Sequence, residues 1–241
     1  MKSLQVEHFP SLPSTNTYLK EQAQLLPKNK ISVVHVDEQS HGRGQFQRNW
    51  LSPKGNLYFS YAFFIPRLPK NFPLLSIVAS TIIAESIDNY GVKLNIHWPN
   101  DLYAGGGKCG GILCESLAVR EEQLVIIGLG LNLNYSFEQE KNLNASSFFD
   151  LTQEKVDIQK IFKKIIKALQ KNIPIFFSEG FAPFANKFEQ IFSPGKKLYN
   201  FNTKNGTLQA SILKVTPEGH FVVENKKNEE ITIKSFPLSS V

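Results

Sequence analysis

The chain lacks most of the features that settle a protein's class at a glance. It has two cysteines, Cys109 and Cys114, too few for a disulfide framework. They stand five apart in a segment that reads as a strand. An odd separation there points side chains to opposite faces, so the two are not expected to pair. A reduced, cytoplasmic setting fits. No apolar run approaches the roughly 20 residues that cross a bilayer. The start, MKSLQVEHFPSLPSTN, has no signal-peptide core, so no membrane partner is expected. There is no GxxxxGK[ST] loop, no GxGxxG after a first strand and no GxSxG. The five histidines and two cysteines show no zinc spacing. Those absences argue against Walker nucleotide binding, a dinucleotide fingerprint, a serine-hydrolase elbow and a zinc site.

What is present is an ordinary globular composition. Of 241 residues, 41% are hydrophobic and 20% charged, which argues against disorder. The length buries a full core in one or two domains without a covalent staple. Net charge is +6, unevenly placed. Residues 1–150 hold 13 Lys and Arg against 13 Asp and Glu, whereas residues 151–241 hold 14 against 8. The excess is spread over an amphipathic helix and the tail instead of one recognition surface, which reads as a solvated basic face. A nucleic-acid module and an acidic protein partner are the alternatives. Steep salt dependence of binding to random duplex would mark the former.

The element pattern predicts an α/β fold. Ser14-Thr15-Asn16 before TYLKEQAQLL is a helix start, with Ser or Asn as N-cap. ISVVHV (31–36), NLYFSYAFF (56–64) and NIHW (95–98) read as strands. Apolar residues from Leu74 to Tyr90 recur at helical spacing, and Gly91 ends that helix. Residues 108–119 and 123–134 read as an antiparallel hairpin turning at Arg120-Glu121-Glu122. Residues 135–155 read as a polar loop, and 157–178 and 180–192 as helices with lysine-rich outer faces. Beyond Ser193-Pro194-Gly195, four or five short strands at spacings near ten residues read as a small barrel. Pro194 marks the expected domain boundary.

Four segments spend residues that a packed core would not choose. In Gly42-Arg43-Gly44-Gln45-Phe46-Gln47-Arg48-Asn49-Trp50, two glycines let the backbone approach an anion onto which Arg43 can fork. The competing reading is a flexible surface turn, with Trp50 a core anchor. In Trp98-Pro99-Asn100-Asp101-Leu102, proline ends a strand and leaves Asn100 and Asp101 at its mouth, where ligands of α/β proteins sit. An Asx turn explains it equally. In Gly105-Gly106-Gly107-Lys108-Cys109-Gly110-Gly111-Ile112-Leu113, a lysine among five glycines is a point charge delivered to an anion. In Gly128-Leu129-Gly130-Leu131-Asn132, alternate glycines leave one strand face bare, and Asn132 continues that face. A bulge or close sheet packing is the alternative there. Together the four describe an anionic ligand on a sheet, held without Walker geometry.

In order, spacing and content these segments resemble the bacterial biotin–protein ligases, or biotin–[acetyl-CoA-carboxylase] ligases. The matching pieces are Ser14-Thr15-Asn16, Gln39 with Gly42-Arg43-Gly44, Arg48 and Trp50, then Trp98-Pro99-Asn100-Asp101-Leu102, Lys108 with Gly110-Gly111-Ile112-Leu113, and Gly128-Leu129-Gly130-Leu131-Asn132. The resemblance implies a mixed-sheet catalytic domain over residues 1–193 and a small SH3-like barrel over residues 194–241. It implies a ligase that joins biotin and ATP into biotinyl-5′-AMP with loss of pyrophosphate. The biotinyl group then passes to a lysine of the biotin carboxyl carrier protein. Magnesium would accompany ATP.

By the same resemblance Lys108, Arg43 and Asp101 are the catalytic candidates, Asp101 orienting Lys108 or placing the metal. Biotin would lie against Ser14, Thr15, Asn16, Gln39, Gly42, Arg43, Lys108, Gly111, Ile112, Gly128 and Gly130. The nucleotide would lie against Arg43, Gly44, Gln45, Arg48, Trp50, Asn100, Lys108 and Asn132. The family loop runs GRGRxGRxW, so Gln45 stands for an arginine and Gln47 for a glycine, which implies looser retention of the adenylate. His97 stands for the lysine of KWPND and is not counted in the site. Repressor-type members carry a winged helix-turn-helix ahead of the catalytic domain, whereas this sequence starts almost directly at it, so no DNA partner is expected. A monomer or a homodimer is compatible. The alternative of shared fold, a lipoate or octanoyl ligase or transferase, lacks support from an RRxSGGG stretch.

Overall fold

The structure, a computed structural model, describes residues 2–140, 142–194, 197–203, 206–234 and 237–240. The chain opens with a strand that the sequence pattern hides: β1 (Ser3–Leu12) is polar and contains Pro10. It lies at a sheet edge, where a residue without an N–H is tolerated. A short helix, α1 (Thr15–Glu21), carries the chain to β2 (Lys30–Gln39), which pairs with β1 in parallel. β3 (Leu57–Ile65), β4 (Asn95–His97), β5 (Asp101–Ala104), β6 (Gly107–Val119) and β7 (Glu122–Leu131) complete the sheet. Its order is β1-β2-β3-β7-β6-β5-β4, with every pair but the first antiparallel. The expected hairpin is β6–β7, tightened to a turn in which Arg120 takes φ +56°.

Three helices cover one face of this sheet. α2 (Leu75–Ser86) is buried at every residue from Leu75 to Ala84, because it lies between the sheet and the later helices. α4 (Ile158–Glu179) starts on an Asp157 cap and buries Ile161, Phe162, Ile165, Leu169 and Phe176 at helical spacing. α5 (Ala182–Ile191) follows. Their apolar faces meet Phe59, Tyr61, Ile127 and Leu129 in one core. Each such side chain contributes about 1.5–3 kcal/mol on burial. α1 covers the other face only in part, with Leu19 packed on Val34, Ala62, Leu124 and Ile126. The rest of that face is the open ground on which a ligand can sit. The stretch 135–155 is not all loop: Ser147 and Asp150 form a capping box for α3 (Phe148–Thr152).

The tail forms a second, antiparallel sheet of β8 (Leu198–Thr203), β9 (Gly206–Val215), β10 (Phe221–Asn225), β11 (Glu230–Ile233) and β12 (Pro237–Ser240). The order is β11-β10-β9-β8-β12. This is the mixed α/β fold with an all-β appendage that the sequence predicts. The appendage is docked on the first sheet: Ser193 N–H donates to Ile96 O at 2.9 Å. The Tyr199 hydroxyl donates to Trp98 O at 3.1 Å, and the Phe221 ring meets Trp98 edge-on at 4.9 Å. Among the described residues, no helix is long and apolar enough to cross a membrane.

Both cysteines are free, as expected, but not for the expected reason. The β5–β6 register shifts between Leu102 and Tyr103, so alternation is broken next to Cys109. Cys109 is fully buried in the helix-side core, and Cys114 packs against the same core. Burial pushes the Cys109 thiol up to about 12, which keeps it unreactive.

Candidate functional site

The site lies on the α1 side of the sheet and begins at the start of that helix. Ser14 caps α1, its Oγ accepting from Thr17 N–H. This places Thr15 and Asn16 inward, both only 4% exposed. The Thr15 N–H donates to Gln39 Oε1 at 3.0 Å, and Gln39 Nε2 donates to Ser52 Oγ at 3.0 Å. Ser60 donates to Asn16 Oδ1, and its Oγ lies 2.7 Å from Thr15 Oγ1. The sequence groups Ser14, Thr15, Asn16 and Gln39 by resemblance; the fold joins Thr15, Asn16 and Gln39 in one hydrogen-bonded row, with Ser14 capping the helix beside it.

The glycines of β6 and β7 form a floor, and the protein itself covers part of it. A Cβ on Gly130 would collide with the Trp50 indole nitrogen, and one on Gly111 would come within 3.2 Å of the Trp50 ring. A Cβ on Gly128 would collide with the Asn16 amide. Close approach therefore explains these glycines. Trp50 Nε1 is buried there without a protein partner, and buried donors seldom stay unpaired.

Lys108 crosses this floor. Its Nζ is 2.7 Å from Asp101 Oδ1 and 5.1 Å from the centre of the Trp50 ring. Its main chain is pinned by the segment that follows β7: Lys108 N–H donates to Asn144 O, and Ser146 N–H donates back to Lys108 O, both at 3.0 Å. Asp101 is placed by the β4–β5 turn. There Asn100 Nδ2 donates to Ile112 O at 2.6 Å, and Ile112 N–H donates to Asn100 O at 2.9 Å. Asn100 thus clamps the turn to β6. Asp101 stands as the partner of Lys108. Among the described residues no group of three or more His, Cys, Asp and Glu could hold a metal, and one carboxylate already paired with a lysine makes no magnesium site by itself.

Arg43 enters from the loop before β3. Arg43 and Asn49 pair across that loop, and Trp50 N–H donates to Gly42 O at 2.8 Å. At its tip Phe46 and Gln47 take φ +55° and +60°. Arg43 Nη2 lies 2.8 and 3.1 Å from the two Glu115 oxygens. Lys20 Nζ and Asn16 Nδ2 reach the same carboxylate, each at 2.8 Å. Burial pushes the Glu115 carboxyl up, but hydrogen bonds from Lys20 and Asn16 and the charges of Lys20 and Arg43 outweigh it. The net shift is downward from the ordinary glutamate value. Sequence reasoning missed Glu115. The signal was period two: Gly111, Leu113 and Glu115 share a face of β6.

A cavity of about 490 Å³ is lined by Ser14, Thr15, Asn16, Gln39, Arg43, Gly44, Gln45, Arg48, Trp50, Asn100, Asp101, Lys108, Gly111, Ile112, Gly128 and Gly130. Tyr199 of β8 and Lys197 just before that strand also line it. A second cavity of about 560 Å³ adjoins it and shares Gln39, Asn49, Trp50 and Lys108. Gly42 and Asn132 line only this second one. Asn132 does not continue the glycine face: β7 ends at Leu131, and the Asn132 amide turns to donate to Lys108 O and Ser146 O, leaving Oδ1 buried and unpaired. Ile112 lines the first cavity although it belongs mainly to the core. Its side chain is 1% exposed and packs into the helix-side core. Leu113, paired across from Gly128, lines the cavity from the glycine side of β6.

The model of the biotin/lipoate A/B protein ligase family matches residues 8–132. The bifunctional ligase/repressor BirA of Bacillus subtilis is 29% identical over 203 residues, covering 81% of this chain and 62% of that protein. BirA of Salmonella typhimurium is 30% identical over 188 residues, covering 76% of this chain and 58% of that protein. The chain therefore spans about three-fifths of the length of these relatives. The biotin protein ligase of Aquifex aeolicus, solved with biotin and ATP, superposes with a TM-score of 0.76 at 24% identity over 96% of both chains. That likeness shows a shared fold across both sheets.

Proposed function

The chain belongs to the biotin/lipoate A/B protein ligase family, and from that premise we propose that it activates biotin with ATP as biotinyl-5′-AMP and passes the acyl group to a lysine of the biotin carboxyl carrier protein. One observation carries this reading. Two adjoining cavities share Lys108 and Trp50, so two ligands can meet at one ammonium group. The row from Ser14 to Gln39 suits the ureido ring of biotin, with donors and acceptors at one end and the glycine floor beneath. The second cavity, with the unpaired Asn132 Oδ1 and the Trp50 ring, suits the adenine. The biotin-bound and ATP-bound relative of the same fold supports the pairing of substrates.

A carboxylate is a weak nucleophile facing a polyanion. Holding the two in register removes up to about 7–11 kcal/mol of the barrier. Lys108 at the junction offsets charge on the α-phosphoryl oxygens as it builds. A biotin carboxylate oxygen bonds to the α-phosphorus, the bond from that phosphorus to the bridging oxygen breaks, and pyrophosphate leaves. In the second half the neutral amine of the acceptor lysine bonds to the acyl carbon and gives up a proton, and AMP leaves. The loop from Gly42 to Trp50 borders both cavities and would shield the mixed anhydride from water. We assign residues 1–193 to catalysis and residues 194–241 to a separate barrel-like unit.

The test is transfer of biotin to a carrier domain in the presence of ATP and magnesium, with lipoate in a parallel arm. Expected is ATP-dependent labelling of one lysine by biotin and none by lipoate. Lipoate transfer would move the chain to the other branch of its family. Transfer of neither would remove the proposal.

A further inference from the structure

The Glu115 carboxylate takes no part in the chemistry just described and does not line the cavity, yet it binds two residues that do, Arg43 and Asn16. It receives Arg43, Lys20 and Asn16. Only one terminal nitrogen of Arg43, Nη2, is used by Glu115. Arg43 Nε is buried and has no partner among the described residues. A guanidinium is a rigid fork, so fixing one nitrogen fixes the direction of all its donors. We infer that Glu115 is a positioning residue of the biotin-activating site: it grips Arg43 by Nη2 and so presents the unpaired Nε to the acyl-phosphate oxygens. This rests on the biotin ligase reading of the site.

The same carboxylate ties Arg43 to the hydrogen-bonded row at the start of α1. Glu115 Oε2 accepts from Asn16, whose Oδ1 accepts from Ser60, which in turn lies against Thr15. The residues that suit the ureido ring and the cation that suits the carboxyl end thus hang on one connected chain of hydrogen bonds. A network of this kind fixes each member through the others. Lys20 completes it. Two cations on one carboxylate leave the cluster with a net positive charge, so Glu115 orients Arg43 without cancelling its attraction for a phosphate.

The experiment is a double-mutant cycle on pyrophosphate release from biotin and ATP. It uses the wild-type chain, Glu115→Ala, Glu115→Gln, Arg43→Ala and Glu115→Ala with Arg43→Ala. Glu115→Ala is expected to lower kcat roughly ten- to hundredfold, the loss that goes with a misplaced reacting group. KM for ATP is expected to change far less. Glu115→Gln, which keeps the volume and one accepting oxygen, recovers part of that loss. In the Arg43→Ala background, Glu115→Ala lowers kcat little further, because the group it positions is gone, and the loosened Asn16 is read instead in KM for biotin. Melting temperatures confirm that each variant is folded. If the two losses multiply, or Glu115→Gln falls with Glu115→Ala to the same rate and KM for ATP rises in step, Glu115 does not act through Arg43. If Glu115→Ala matches the wild type, it has no role. A wild-type chain that releases no pyrophosphate sinks the ligase reading and this assignment together, whereas an active wild type with multiplying losses sinks the assignment alone.

Discussion

Neither cation of the cavity is free before ligands arrive. Lys108 is paired with Asp101 and Arg43 with Glu115. These pairs are about a quarter to a third exposed; a phosphate can draw Lys108 from Asp101 at small cost, whereas Glu115 keeps its hold on Arg43 Nη2 through its further bonds to Lys20 and Asn16. The pairs serve to aim the cations. Lys108→Ala is therefore expected to leave the fold intact and to cut adenylate formation by about a hundredfold or more. Pyrophosphate release at the wild-type rate would remove the assigned role. The Glu115 cluster also sets a pH dependence. Its carboxyl is held below the ordinary glutamate value in the folded chain. Its contribution to stability is therefore present above that value and is lost as pH falls through the depressed one. The stability gap between wild type and Glu115→Gln should hold from neutrality to about pH 5 and close in more acidic buffer, as read by denaturant melts. A gap that widened in acid would contradict the assigned direction.

The Gly42–Trp50 loop holds backbone strain at its tip, where Gln47 takes φ +60°. The left-handed region costs a side chain about 1–2 kcal/mol, while glycine loosens the unfolded chain by about 0.4–1 kcal/mol. The first term is the larger, so Gln47→Gly should stabilise the protein by roughly 0.5–1 kcal/mol, seen as a rise of a few degrees in Tm. A fall in Tm would mean that the glutamine side chain holds the loop tip. Elements that announce themselves by pattern were legible in the same way. The β6–β7 hairpin was read from its turn, and its glycines marked where Trp50 and Asn16 press on the sheet. β1 was passed over because the alternation of Leu4, Val6 and Leu12 with Ser3, Gln5, Glu7 and Ser11 is interrupted by His8, Phe9 and Pro10, and proline demotes a strand reading. α3 was hidden because five residues are too few to show a helical period. Glu115 was passed over because charge on a strand reads as a solvated face until the donors of α1 and the Arg43 loop converge on it. Those contacts span 72 to 99 residues of sequence, which no local pattern encodes.

The two sheets are coupled where the site is built. Trp98, in the turn that leads to Asn100 and Asp101, gives its carbonyl to Tyr199 and its ring face to Phe221. Burial, and then the nearby Asp101 charge, push the Tyr199 hydroxyl up to about 12, so it stays a neutral donor throughout the physiological range. Tyr199 and Lys197 also line the first cavity. The second sheet therefore supports the turn that aims Lys108, and the chain should behave as one cooperative body although it contains two layers of strand. Phe221 is fully buried and tests this directly. Phe221→Ala should cost about 3–5 kcal/mol through lost burial and the cavity left behind. Because Trp98 loses its support at the same time, the whole thermal transition should move down and remain single, and biotin with ATP should raise Tm less than in the wild type. Calorimetry reads both effects. Two separated transitions, with only the lower one displaced and the ligand response intact, would show that the second sheet unfolds on its own and leaves the Asp101–Lys108 pair undisturbed.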